Sequence, residues 1–331
     1  MDTRIFDEPK IDCHVHVLDP ERFPYGEHTH YRPLGQELGT PAQLAQVMNA
    51  YGTDYALLVG PNSGYGLDNA CMLDTLARGK GRYKGVAVVA NDATVEDLRQ
   101  LRDMGVLGVA WNVTFYGIDY YRDARPLLEK LRALDMFVNV QVEHNQLVSM
   151  LPLLSGSGAR VLIDHCGRPA IDAGLDQPGF RALLELGATK RAFVKLSGLV
   201  KFSRVPSPHE DAWPFVRALV EAFTLDRCLW ASDWPYLRAP ARVDYGVLLR
   251  LLLTLFPDGS DRRKLLWDTP RALLGLVPTE LRDEADEAIG KDVKCPVNRR
   301  TSLRRGWARR TSTFGRARAR RAVHAAPLAQ T

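Results

Sequence analysis

The sequence predicts an α/β fold, a (β/α)8 TIM barrel, and three observations carry that prediction. Short β-branched apolar runs alternate with helix-period segments, the pattern of βα units feeding a parallel sheet. Eight such runs occur, each followed by a helical segment. An open doubly wound sheet would more often carry a Gly-rich phosphate loop after its first strand, and none is here. The chain of 331 residues is long enough for a barrel of about 250 residues plus extras.

The first strand, Lys10 to Val17, alternates apolar Ile11, Cys13, Val15 and Val17 with polar Asp12, His14 and His16. A period of two places both imidazoles on one face, about 7 Å apart along the strand. The loop from Leu18 to Thr40 is long and rich in Pro, His and Tyr, as expected at a barrel mouth. Later strands are expected at Tyr55 to Gly60, Gly85 to Ala90, Gly105 to Val113, Met136 to Val142, Ala159 to His165, Ala192 to Gly198 and Arg227 to Asp233. Helices are expected at Pro41 to Ala50, Asp68 to Arg78, Thr94 to Met104 and Ala124 to Leu134. They continue at Gln146 to Leu154, Pro178 to Leu186, Ala212 to Phe223 and Ala241 to Phe256. Thr94 followed by Asp97 and Leu98 has the form of a capped helix start. Asp261 to Leu276 reads as one further helix, interrupted near Pro270. The barrel domain is therefore expected over 1–276 and a charged, disordered tail over 277–331.

Hydrophobic content of 46% and charged content of 25% are ordinary for a soluble globular protein. The N-terminal residues carry no apolar signal-peptide core, and the run Val247 to Phe256 is too short to span a bilayer. Five scattered cysteines without a Cys-x-x-Cys pair argue against a disulfide framework and for a reducing, cytoplasmic setting. The net charge of +5 hides an asymmetry, because twelve Lys or Arg stand against Asp292 alone from Ala288 onward. Such a block reads first as a solvated tail, with nonspecific contact to nucleic acid or acidic surfaces as the alternative.

Barrel chemistry sits where strands end. The first strand ends with His14 and His16, the sixth with His165, and the eighth with Asp233. Singly, each has a bland reading: a core or surface histidine, or a helix N-cap for Asp233. Jointly, three imidazoles and a carboxylate can converge over the barrel. A carboxylate near imidazoles stays ionised and can take a proton from water, while imidazoles polarise a carbonyl or bind a metal.

Asp12-Cys13-His14-Val15-His16, Ile163-Asp164-His165-Cys166-Gly167 and Ala231-Ser232-Asp233-Trp234-Pro235 resemble the amidohydrolase-related branch of the amidohydrolase superfamily. The stretch Leu266 to Gly275 is similar to that branch's terminal helix. Gly66-Leu67-Asp68-Asn69 with Met72-Leu73-Asp74 resembles the 2-pyrone-4,6-dicarboxylate lactonase group. The resemblance runs from about Lys10 to Leu276. It implies a distorted TIM barrel and hydrolysis of a C–O or C–N bond by water. Metal-dependent members usually place a histidine on strand five, where this chain has Gln141, with His144 three residues on. Strand four offers no Lys or Glu. The pattern matches the lactonase group, whose type member resembles a metal-free enzyme, so no cofactor is the favoured expectation. One zinc ion is the alternative, held by His14, His16 and Asp233 with His144 as a further candidate.

The resemblance thus implies a hydrolase of a small lactone or similar cyclic ester from aromatic or sugar-acid catabolism. Asp233 would activate water while His14, His16 and His165 polarise the carbonyl. A zinc-dependent decarboxylase or hydratase of aromatic-type acids is the alternative, and a scaffold with a nucleic-acid-binding tail is a third. Relatives that bind dicarboxylates carry an arginine in a Gly-Val-Arg segment ending strand four; here it is Gly108-Val109-Ala110. Trp111, Tyr116, Tyr120 and Tyr121 make that exit aromatic instead, suiting a ring-shaped or less charged substrate. Asn62, Ser63, Trp111, Gln141 and Arg168 are the candidate substrate contacts. Arg122, Arg125, Arg204 and Arg238 are further potential carboxylate clamps, with solvated surface arginine as the plainer reading.

Overall fold

The computed structural model describes residues 4–27 and 29–276. The expected tail, and with it any nucleic-acid contact, lies outside the described residues. Eight parallel strands follow one another in order around the sheet. They are β1 (Ile11–Val15), β2 (Tyr55–Val59), β3 (Tyr83–Ala87), β4 (Val106–Asn112), β5 (Phe137–Gln141), β6 (Arg160–Ile163), β7 (Ala192–Leu196) and β8 (Cys228–Trp230). Helices lie between successive strands, so the TIM barrel expected from the sequence is the fold observed.

The seam between β8 and β1 closes past the end of β8. Val15 bridges Trp234 in parallel. Asp233 N donates to the His14 carbonyl at 2.9 Å, and His16 N donates to the Trp234 carbonyl at 2.8 Å. Asp12 adds a side-chain stitch, its Oδ1 accepting from Ser232 N at 2.9 Å. The closing segment therefore aligns His14, His16 and Asp233 by main-chain bonds.

Strand β1 departs from simple alternation. Its register against β2 shifts between Asp12 and Val15. Ile11 and Cys13 pack with Leu57, Ala110, Phe137 and Leu229, whereas Val15 and Val17 belong to the larger core with Leu44 and Met48. The four apolar residues of the motif thus do not share one face. An extra residue in one strand of a pair flips the side chains beyond it. Asp12 accordingly points away from the imidazoles and accepts from Tyr245 Oη at 2.9 Å.

Helix positions follow their sequence signals closely. Thr94 and Asp97 form a reciprocal capping box ahead of Val95–Asp103. Thr40 and Gln43 do the same ahead of Pro41–Ala50. Strand β3 begins at Tyr83 rather than Gly85, because Tyr83 and Lys84 already pair with Ala56 and Leu57. The break in the terminal helix falls before Pro270, as a π-helical turn over Lys264–Asp268. Pro270 occupies the first turn of Thr269–Leu274, where its missing N–H costs nothing. Among the described residues no helix is long and apolar enough to cross a membrane.

Candidate active site

The strand ends surround a cavity of about 380 Å³. His14, His16, Asn62, Ser63, Trp111, Gln141, Arg168 and Asp233 all line it, together with Asn112, Thr114, Asn139, Asp164, Lys201 and Arg238. His165 stands behind this wall, 1% exposed, with its ring 4.7 Å from that of His14. Asp233 Oδ1 is the focus. It is buried without a hydrogen-bond partner and lies 3.7 Å from His14 Nε2, 3.6 Å from His16 Nε2 and 3.6 Å from His165 Nε2. The other carboxylate oxygen takes the Lys201 ammonium at 2.8 Å. Both Asp233 (φ 64°) and His165 (φ 52°) sit in the left-handed region, a conformation costly outside glycine and concentrated at functional sites.

Behind His14 lies a second layer. His14 Nδ1 is 3.0 Å from Lys195 Nζ and 3.1 Å from Asp164 Oδ1. Lys195 Nζ also reaches Asn139 Oδ1 at 2.7 Å and Asp164 Oδ1 at 2.9 Å. Asn139 Nδ2 donates to Asp164 Oδ2 at 2.6 Å. His16 is anchored through Nδ1 to the Val59 carbonyl at 2.8 Å, and His165 Nδ1 lies 3.0 Å from Ser197 Oγ.

Charge states follow from this packing. Burial would neutralise Asp233, but Lys201 and then His165 outweigh it and hold its carboxyl well below the usual range. Asp164 behaves alike: burial opposes ionisation, and Lys195 followed by His14 overcomes it. Burial, reinforced by Lys195, lowers His14 to about 4. His165 is pushed far down, chiefly by burial. The site therefore combines ionised carboxylates with neutral imidazoles His14 and His165 near pH 7.

Not every candidate reaches the site. His144 is exposed and does not line the cavity, so it is not assembled with the other potential ligands. Among the further arginines, Arg238 lines the cavity, stacked over Tyr31 and Phe115 at 5.7 Å from each ring centroid. Arg122, Arg125 and Arg204 instead bond Asp119, the Gly156 carbonyl and Asp172. Arg168 is tied to Glu143 at 3.1 Å. Trp111 stacks on Tyr121 with centroids 4.6 Å apart. Lys195, Asn139 and Lys201 were not singled out from sequence. Their one available signal was a lysine inside the apolar strand β7, which a buried strand tolerates only when the charge is paired.

This is a barrel whose strand ends converge histidines and a carboxylate on one cavity, and the chain belongs to the amidohydrolase family, which matches residues 11–276. It is 32% identical over 274 residues to a 4-sulfomuconolactone hydrolase of Hydrogenophaga intermedia, covering 80% of this chain and 88% of that protein. It is 27% identical over 276 residues to a 2-pyrone-4,6-dicarboxylate hydrolase of Comamonas testosteroni, covering 80% of this chain and 89% of the relative. Among solved structures, a probable 2-pyrone-4,6-dicarboxylic acid hydrolase from Acinetobacter baumannii with citric acid bound superposes with a TM-score of 0.74. That comparison has 26% identity and covers 81% of this chain and 99% of that one. The family resemblance read from the strand-end motifs is thus met.

Proposed function

We propose that this protein hydrolyses a lactone of a small carboxylic acid, with Asp233 as the general base. The observation that carries the reading is Asp233 Oδ1: ionised, buried, without a hydrogen-bond partner and facing the cavity. The relatives named for lactone hydrolysis support the same reaction class. In the proposed step, water attacks the lactone carbonyl carbon as Asp233 takes its proton. Negative charge develops on the carbonyl oxygen, where His14 and Lys201 can meet it. The ring C–O bond then breaks, and Asp233 returns the proton to the departing alkoxide, giving the open hydroxy acid. Phe115 supplies flat apolar wall for a ring, while Arg238 and Arg168 can face an acidic substituent.

The donor set also fits a single divalent metal. Three imidazole nitrogens point at one orphaned carboxylate oxygen, and His14, His16 and Asp233 have ligand atoms within 4.8 Å of one another. A zinc ion held there would supply an acidified water and a Lewis acid for the carbonyl. The proposed hydrolysis relies on the chain's own residues.

The test is Asp233→Asn, which keeps shape and removes the base. Turnover of a panel of lactones carrying one acidic group, followed by acid release, is expected to fall roughly 10²–10⁴-fold. Unchanged kcat in the variant would overturn the assignment of Asp233. Failure of the whole panel with wild-type protein would overturn the substrate class.

A further inference from the structure

Hydrogen-bond accounting around His14 determines where its proton sits. A carbonyl oxygen can only accept, so the 2.8 Å bond to Val59 places a hydrogen on His16 Nδ1. With that one ring hydrogen, His16 presents a lone pair at Nε2. That lone pair lies 3.2 Å from His14 Nε2, and a hydrogen bond there needs its hydrogen on His14. His14 Nδ1 is then a lone pair, and Lys195 Nζ at 3.0 Å is the group placed to donate to it. The three hydrogens of the Lys195 ammonium meet three acceptors, His14 Nδ1, Asn139 Oδ1 and Asp164 Oδ1. Asn139 Nδ2 donates one of its two amide hydrogens to Asp164 Oδ2. Lys195, Asn139, Asp164 and His14 are all at most 2% exposed, so the balance of donors and acceptors among them matters.

The opposite tautomer leaves a different site. With hydrogen on His14 Nδ1, the bond goes to Asp164 Oδ1 at 3.1 Å, and Lys195 loses an acceptor while an N–H faces its ammonium. His14 Nε2, His16 Nε2 and Asp233 Oδ1 would then present only lone pairs to one another, which is the arrangement a cation requires.

We propose that Lys195 is a positioning residue that holds His14 in its Nε2–H tautomer, making the cavity edge of His14 a hydrogen-bond donor and setting this site against zinc. A metal and Lys195 compete for His14, because metal ligation through Nε2 needs the proton moved to Nδ1. Asn139 and Asp164 act through Lys195 by fixing its ammonium 3.0 Å from His14 Nδ1. The inference shares its residues with the hydrolysis reading but is read without substrate or turnover, so either can fail alone.

The experiment is nitrogen NMR of the full chain with labelled histidine, stripped of metal with a chelator, His14 being assigned by the signals lost in His14→Gln. The result expected for the wild-type chain is hydrogen on His14 Nε2 and on His16 Nδ1. Hydrogen on His14 Nδ1, or on both nitrogens of either ring, overturns the proposal. Lys195→Met is expected to move the His14 hydrogen to Nδ1 and to tighten zinc binding, measured by equilibrium dialysis and elemental analysis, by about 10–100-fold. An unchanged tautomer or unchanged zinc affinity in that variant also overturns it. Lys195→Met combined with Asp164→Asn keeps the pocket neutral should the single variant fail to fold, and the same tightening of zinc binding is expected of it. The wild-type result needs no change at Lys195.

Discussion

Asp233 shows how a single residue is set by its neighbours. In a buried site its carboxyl should resist ionisation, yet the Lys201 contact at 2.8 Å holds it ionised. The same contact makes it a weak base, since an acid held at low pKa has little appetite for a proton. Removing Lys201 should therefore raise the Asp233 pKa, because the burial penalty is then less opposed. Loss of activity on the acid side reflects protonation of the base, so the acid limb of kcat in Lys201→Met should move to higher pH. The check is a pH–rate profile of variant and wild type over about pH 4 to 9. An acid limb in the same place for both would show that Lys201 does not govern Asp233.

At the scale of elements, β6 and β7 deliver His165 and Lys195 through very close packing. Gly198, at φ +65°, follows β7, and a Cβ built there would fall 2.8 Å from His165 Cβ and Cγ. Gly198→Ala is thus expected to displace the His165 ring and also to strain its own backbone. Activity should drop at least about tenfold, because the His165 ring lies 3.6 Å from Asp233 Oδ1 and helps to hold that carboxylate ionised. Stability should fall by about 1–2 kcal/mol, the price of a left-handed alanine. Assay and urea titration of the same preparation separate the two, and full activity would show that His165 needs no exact placement. Packing of this kind explains what the sequence could reveal. Strands and helices were legible because apolar periodicity and caps such as Thr94–Asp97 are local. His14, His16, His165 and Asp233 were legible because strand ends in a barrel converge. The bulge in β1 was not, since alternation alone does not reveal an extra residue. Lys195 was missed because its partners Asn139 and Asp164 lie 56 and 31 positions away, on β5 and just past β6. His144, three residues after Gln141, looked available in sequence, but the chain turns it outward at φ 51°.

Over the whole molecule, the site depends on a barrel whose first and last described segments must meet. Arg262, 5% exposed, ties the terminal helical segment to the approach to β1. Its Nε lies 3.0 Å from both Glu8 carboxylate oxygens and its Nη2 lies 2.6 Å from Oε1. Its Nη1 meanwhile holds the Phe256 and Pro257 carbonyls at 2.8 and 2.9 Å. Next to this clasp Lys10 Nζ gathers the carbonyls of Phe6, Tyr51 and Gly52 at 2.9 to 3.0 Å. Both devices lie on the approach to β1, at the opposite end of that strand from His14 and His16. Glu8→Gln keeps the size of the side chain but removes the charge that a buried guanidinium needs. The loss should be about 2 kcal/mol, the usual worth of hydrogen bonds to a charged group. Urea unfolding should show a lower midpoint with an unchanged slope. In native buffer kcat should stay as in wild type, because the clasp touches no residue of the cavity. An unchanged midpoint would mean the ion pair merely offsets the cost of its own burial. A lowered kcat would mean that strain at the closed end reaches Asp233 through β1.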